Sequence, residues 1–190
     1  FKEPEKVGIN YQEAMQFPSL NVRGIRSAWV GNEARTIVPD KVIVEIDIRT
    51  VPNTDGNRLA GLVKEHIKQQ GYTILDAMPT HEEMLSIEKP IFVEHTVSMY
   101  PFRTPLDSEL GAWLKDALEQ AHGKEVVQIR ILGGSLPLSF FLNELDIPAV
   151  LAPLVNADNN QHSPNENLRL GNFFDGIQSF RSILINPIPQ

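Results

Sequence analysis

The sequence lacks several features that would assign it to common protein classes. It has no cysteine, which excludes disulfides and thiolate metal sites and fits a reducing compartment. No apolar run is long enough to cross a membrane. Basic residues are outnumbered 17 to 24, giving a net charge of -7, which argues against nucleic acid as a partner. The sequence also has no His-Glu-x-x-His motif, nucleophile elbow or phosphate loop.

The N-terminus, FKEPEKVGIN, has neither an initiator methionine nor a signal-peptide pattern. We therefore expect the chain to be a processed or truncated product. The N-terminus therefore carries no information on localisation. The absence of cysteine fits a cytoplasmic protein, and no membrane partner is expected.

The first two thirds of the chain predict an antiparallel α+β layer. Residues 1–16 are polar and are predicted to form a connector. Strands are predicted in LNVRGIRSAWVG (20–31) and KVIVEIDIRTV (41–51), the second with Val42, Val44, Ile46 and Ile48 on one face. A helix capped within residues 53–55 should end at Gly71, Thr80 and Glu83 form a capping box, and a helix capped by Asp107 should end at Gly123.

The remaining residues predict a parallel sheet. The apolar segments VVQIRILGG (126–134) and PAVLAPLV (148–155) are typical of buried strands, and the helix LPLSFFLNEL lies between them. A last helix should begin at Ser163 and Pro164, where Ser163 and Glu166 match a capping box, and should pack Phe173, Ile177, Phe180 and Leu184 on a core. The fold class is α/β, with a domain boundary near residue 125.

Two loops after the predicted strands carry candidate binding residues. In GGSLP (133–137), the backbone N–H groups of such a turn suit a substrate carboxylate, although an ordinary strand-to-helix turn explains the same sequence. His162 would precede the last helix, where the helix dipole favours the neutral imidazole that a metal needs. A surface histidine is the alternative. Thr36 and Arg49 are ordinary surface residues on this evidence alone.

The ordered motifs PSLNVRGI, ARTIVPDKVIVEIDIRTVP, RILGGSLPLSFFLNEL and NADNNQHSPNENL resemble metallopeptidase family twenty. This family comprises metal-dependent exopeptidases of the carnosinase, carboxypeptidase G and aminoacylase type. The resemblance spans about residues 17 to 185. It implies most of a lid and dimerisation domain over residues 17–125 and the C-terminal part of a two-metal catalytic domain over residues 126–190.

The same resemblance implies the roles of individual residues. His162 becomes a ligand to one of two divalent ions, zinc or manganese. Ser135 and Gly134 become substrate-binding residues, as do Thr36 and Arg49. Thr36 favours the dipeptidase branch. The family's remaining metal ligands and its general base have no counterpart in this chain, so no catalytic residue is predicted here.

The resulting hypothesis is a part of an exopeptidase that hydrolyses dipeptides or N-acyl amino acids with metal-activated water. The full enzyme should form a homodimer through the lid, and the isolated chain should be inactive. The alternative is a non-catalytic dimerisation module derived from the lid.

Overall fold

A computed structural model describes residues 6–188, so the first five residues of the predicted connector lie outside it. The chain divides into two compact units, Phe1–Phe102 and Arg103–Gln190. The helices are α1 (Tyr11–Ala14), α2 (Gly56–Gln69), α3 (His81–Ser86), α4 (Glu109–His122), α5 (Ser139–Leu145) and α6 (Leu170–Ile185). The strands are β1 (Ser19–Arg26), β2 (Ile43–Arg49), β3 (Thr73–Leu75) and β4 (Pro90–Phe92). The fold is mixed α/β, as predicted.

Strands β1 and β2 pair antiparallel and share one apolar face. Leu20 lies opposite Ile48 and Val22 opposite Ile46, before a bulge shifts the register at Arg23. Strict alternation would place Gly24 on this face. The extra residue in the bulge instead brings Ile25 opposite Val44, which keeps the apolar face continuous.

Helix α2 follows this hairpin and forms as predicted. The Asp55 side chain accepts hydrogen bonds from the N–H groups of Asn57 and Arg58, which caps the helix. The chain leaves the helix through Gly71, whose φ of 85° favours glycine. An apolar groove of about 520 Å³ lies between the helix and the sheet. Its apolar lining comprises Pro18, Leu20, Ile46, Ile48, Leu59, Leu62, Val63 and Ile67.

The second sheet of the first unit is a parallel pair, β3 and β4. Parallel strands need a crossover, and here it contains α3. Thr80 Oγ1 accepts from the Glu83 N–H, and the Glu83 carboxylate accepts from the Thr80 N–H at 2.8 Å. The predicted capping box is therefore confirmed.

Helices α4 and α6 pack together in the second unit. Ser182 Oγ donates to the Ala117 carbonyl at 2.6 Å, and Asn186 Nδ2 donates to the Trp113 carbonyl at 3.2 Å. Helix α4 ends at Gly123, as predicted, but its N-cap is Ser108 and not Asp107. Helix α4 therefore belongs to the same compact unit as the C-terminal residues. The lid boundary near residue 125 stays a prediction.

The structure differs from the prediction in residues 126–134 and 148–155. Neither segment forms a strand ladder within residues 6–188, although helix α5 lies between them as expected. Thr104 instead bonds to both backbone groups of Ala149, donating to its carbonyl at 2.6 Å and accepting from its N–H at 3.1 Å. Strand pairing requires a neighbouring strand, and an apolar sequence cannot supply one.

The start and the orientation of α6 also differ from the prediction. The helix begins at Leu170, so Ser163, Pro164 and Glu166 lie in the preceding loop and form no helix cap. The residues of α6 that are buried are Gly176, Ser179 and Ser182. The apolar residues predicted to face the core are about half exposed or more, namely Phe173, Ile177, Phe180 and Leu184. Ser179 and Ser182 bond to α4 through His122 and the Ala117 carbonyl, whereas Gly176 leaves room for the Leu154 side chain.

Candidate metal and substrate residues

The loop over residues 156–169 is held together by Asn156, which is 5% exposed. Its Nδ2 donates to Asp158 Oδ1 at 2.9 Å and to Asn167 Oδ1 at 3.3 Å. Its Oδ1 accepts from the Arg169 N–H at 3.1 Å, immediately before α6. One buried amide therefore ties both ends of the loop together and to the start of the helix.

A second buried amide supports the middle of the loop. Asn159 Oδ1 accepts from the Gln161 N–H at 3.0 Å, and the Asn159 carbonyl accepts from the Asn167 N–H at 2.8 Å. Asn160 Nδ2 donates to the Pro164 carbonyl at 2.9 Å. These bonds fix the backbone on both sides of His162.

His162 itself is exposed and has a left-handed backbone, with φ at 62°. Asn160 and Asn165 adopt the same conformation, with φ at 60° and 63°. Asparagine and histidine are among the non-glycine residues that tolerate this region best. The prediction that His162 directly precedes the last helix is therefore wrong, because α6 begins only at Leu170 and the intervening loop positions the residue.

Asp158 and Arg169 balance the charge of this loop, and their side chains form an ion pair. The hydrogen bond from Asn156 lowers the pKa of the Asp158 carboxyl, partial desolvation opposes the shift, and the Arg169 guanidinium adds a smaller lowering. The carboxylate is thus held ionised as part of the loop's internal bonding.

These residues do not by themselves build a metal centre. Among residues 6–188, no group of three or more histidine, aspartate or glutamate side chains could hold an ion. His162 is the single candidate ligand from the sequence, whereas a bound zinc ion typically takes at least three protein ligands. A two-metal site would need further ligands from outside the described residues.

The GGSLP segment is an exposed turn before α5. Gly134 donates its N–H to the Leu132 carbonyl at 2.9 Å, and the positions that a Cβ would take at Gly133 and Gly134 are open. Ser135 is exposed and does not cap the helix, whose N-cap is Leu138. A ligand can therefore approach the backbone of both glycines closely.

The remaining candidates lie in the first unit. Arg49 lies opposite Ser19 on the polar face of the β1–β2 sheet, and its Nε donates to Asp47 Oδ2 at 2.6 Å. Its side chain is 53% exposed. Thr36 is exposed in the loop between the two strands. The structure thus places Thr36 and Arg49 in one unit, and Gly134, Ser135 and His162 in the other.

The sequence reasoning missed the residues that anchor the His162 loop. Asn156 and Asn159 are the buried anchors, and Asp158 and Arg169 form the ion pair beside them. The available signal was the run of asparagines in NADNNQHSPNENL, since asparagine readily bonds to nearby backbone groups in loops.

Comparison with known proteins gives a consistent family. The model of peptidase family M20/M25/M40 matches residues 6–186. The Cys-Gly metallodipeptidase dug1 of Schizosaccharomyces pombe is 31% identical over 172 residues, which cover 89% of this chain and 33% of that protein. The human Beta-Ala-His dipeptidase is 25% identical over 171 residues, covering 90% and 31%.

Solved structures share the fold. Human carnosine dipeptidase 1 superposes with a TM-score of 0.70 at 23% identity, covering 96% of this chain and 37% of that one. The M20 family metallo-carboxypeptidase Sso-CP2 from Sulfolobus solfataricus gives 0.68 at 23% identity, covering 95% and 39%. This chain spans about a third of the length of the curated relatives. None of its described helices has the length and apolarity needed to span a bilayer.

Proposed function

The chain belongs to peptidase family M20/M25/M40, and we propose that it forms most of the lid and the C-terminal catalytic part of a metal-dependent dipeptidase. The observation that carries the proposal is the His162 loop. Two buried asparagines anchor the backbone of the loop around His162 and leave its imidazole exposed, which supports a role as a metal ligand.

In this proposal His162 ligates one of two divalent ions, zinc or manganese, in the full-length enzyme. The other ligands and the general base come from sequence outside this chain. The matched relatives, about three times longer than the chain, support this arrangement. The apolar segments 126–134 and 148–155 also support it, because they lack strand partners within the described residues. When bound, the ions supply Lewis acidity and activate water.

The residues of this chain bind and orient the substrate. The Arg49 guanidinium, which bonds to Asp47 through Nε, turns toward the substrate and binds its carboxylate through two parallel N–H groups. The exposed Gly134 backbone and Ser135 hydroxyl receive a second polar group of the substrate. Thr36 contributes a hydroxyl. The substrate class is dipeptides with a free carboxylate, supported by the names of the relatives and by Thr36.

We also propose that the full-length enzyme is a homodimer through the lid. The apolar face of the β1–β2 sheet supports this, because Val22 is 55% exposed and Ile25 is 69% exposed. A two-stranded sheet also leaves strand edges that favour pairing. The same features fit the alternative, a non-catalytic dimerisation module, which has no use for the anchored His162 loop.

The test compares the full-length enzyme with this 190-residue chain. Both are assayed on Cys-Gly and β-Ala-His dipeptides with added zinc or manganese. We expect hydrolysis and two bound ions per subunit in the full-length enzyme, and neither in the chain alone. If the chain alone hydrolyses either dipeptide and keeps this activity after repurification, the proposal that its active site is incomplete is wrong. A full-length protein that dimerises but hydrolyses neither dipeptide would support the interaction module.

A further inference from the structure

The loop that carries Thr36 connects β1 to β2 and is closed at its base. Ser27 Oγ donates to the Lys41 carbonyl at 3.2 Å, which joins the two ends of the loop just beyond the strands. Ala28 then turns the backbone through a φ of 48°. The rest of the loop, residues 29–40, is exposed. Its conformation therefore depends on contacts that it makes with itself.

The largest of these contacts joins Trp29 to Arg35. A short 3-10 helix, Gly31–Glu33, reverses the chain, and the Ala34 N–H donates to the Gly31 carbonyl at 3.1 Å. This reversal brings the Arg35 guanidinium carbon to 5.2 Å from the centroid of the Trp29 ring. That distance is within the range of a cation–π interaction.

Thr36 follows Arg35 in a tight turn. The Ile37 N–H donates to the Arg35 carbonyl at 3.0 Å, which makes a three-residue turn centred on Thr36. Because the turn starts from the Arg35 carbonyl, the position of Arg35 determines where the Thr36 hydroxyl lies. The Trp29–Arg35 contact thus holds the side chain of the residue from which this turn starts.

We propose that Trp29 and Arg35 are positioning residues that hold Thr36 where it meets the substrate. The proposal rests on the substrate-binding role of Thr36 in the proposed function. Trp29 is 46% exposed, so burial in a core does not account for this large ring. A stacked guanidinium explains its place in the loop, since indole is the best of the aromatic partners for a cation.

The test uses steady-state kinetics of the full-length enzyme on Cys-Gly. Trp29→Leu and Arg35→Gln remove the contact, whereas Trp29→Phe and Arg35→Lys keep a weaker one. An exposed cation–π pair corresponds to a roughly two- to five-fold change in an equilibrium. We expect KM to rise by about this factor with kcat nearly unchanged, because Thr36 would contribute uniform binding. The conservative variants should restore most of the loss.

A second measurement does not depend on activity. Hydrogen exchange at the Ile37 amide should quicken in Trp29→Leu, since the turn at Thr36 would open more often. The matched control is Val38→Ala in the same loop, whose side chain is 92% exposed. It should change neither KM nor exchange.

The outcomes separate the positioning role from the proposed function. A raised KM in Thr36→Val together with an unchanged KM in Trp29→Leu would overturn the positioning role and leave Thr36 in the substrate site. An unchanged KM in Thr36→Val would remove Thr36 from that site and overturn the positioning role with it. The assignment of His162 would be untouched. A loss of thermal stability in Trp29→Leu that Trp29→Phe does not restore, with KM unchanged, would also overturn the positioning role.

Discussion

Replacing Asn156 with alanine removes the amide on which the His162 loop is built. Three hydrogen bonds are lost, those to Asp158, Asn167 and the Arg169 N–H. At about 1 kcal/mol net for each bond, the free energy of unfolding should fall by about 2 to 4 kcal/mol. Water can replace the bond lost by the Arg169 N–H at the start of α6, so we expect a fall of about 2 to 3 kcal/mol.

Chemical denaturation of the purified chain measures this change, with Gln161→Ala as the matched control. Gln161 is exposed in the same loop and bonds to Asn159 through its backbone, so its side chain should contribute less than about 0.5 kcal/mol. NMR titration provides a second measurement, because the pKa of Asp158 should rise when the Asn156 hydrogen bond is removed. An Asn156→Ala protein as stable as the Gln161→Ala control would refute the role of the buried amide.

His162→Ala should lower the free energy of unfolding by about 1 kcal/mol, because the ring is exposed but alanine tolerates the left-handed backbone less well than histidine. It should also remove one metal ion and the activity from the full-length enzyme, and elemental analysis showing a full metal complement would exclude His162 as a ligand. Arg49→Lys keeps the charge and the pairing with Asp47 but loses the planar fork, so kcat/KM should fall strongly, and unchanged kinetics would identify a surface ion pair. Acid titration should destabilise the loop, because folding lowers the pKa of Asp158. The contribution of this carboxylate to the free energy of unfolding is complete at pH values above the ordinary carboxyl pKa, and it is lost as the pH falls through the folded-state pKa. Circular dichroism from pH 7 to 2 should show a smaller acid loss in Asp158→Asn.

Several elements could be predicted because their determinants lie close together in the sequence. Asp55 caps α2, Thr80 and Glu83 form the capping box of α3, and Gly123 ends α4. Each of these features depends on groups within a turn of the helix end, so a short stretch of sequence contains all the information. The family could be identified for a related reason, since its motifs are short segments in a characteristic order.

Other features depend on residues that are far apart in the sequence, so they follow from the folded chain and not from any local pattern. Ser163, Pro164 and Glu166 match a helix start locally, but the Arg169 N–H bonds to the buried Asn156 and the helix begins at Leu170. Residues 126–134 and 148–155 have the composition of strands, yet they form no ladder among the described residues. A cap can be satisfied by its own neighbours, whereas a strand ladder and a buried amide need partners brought from elsewhere by folding.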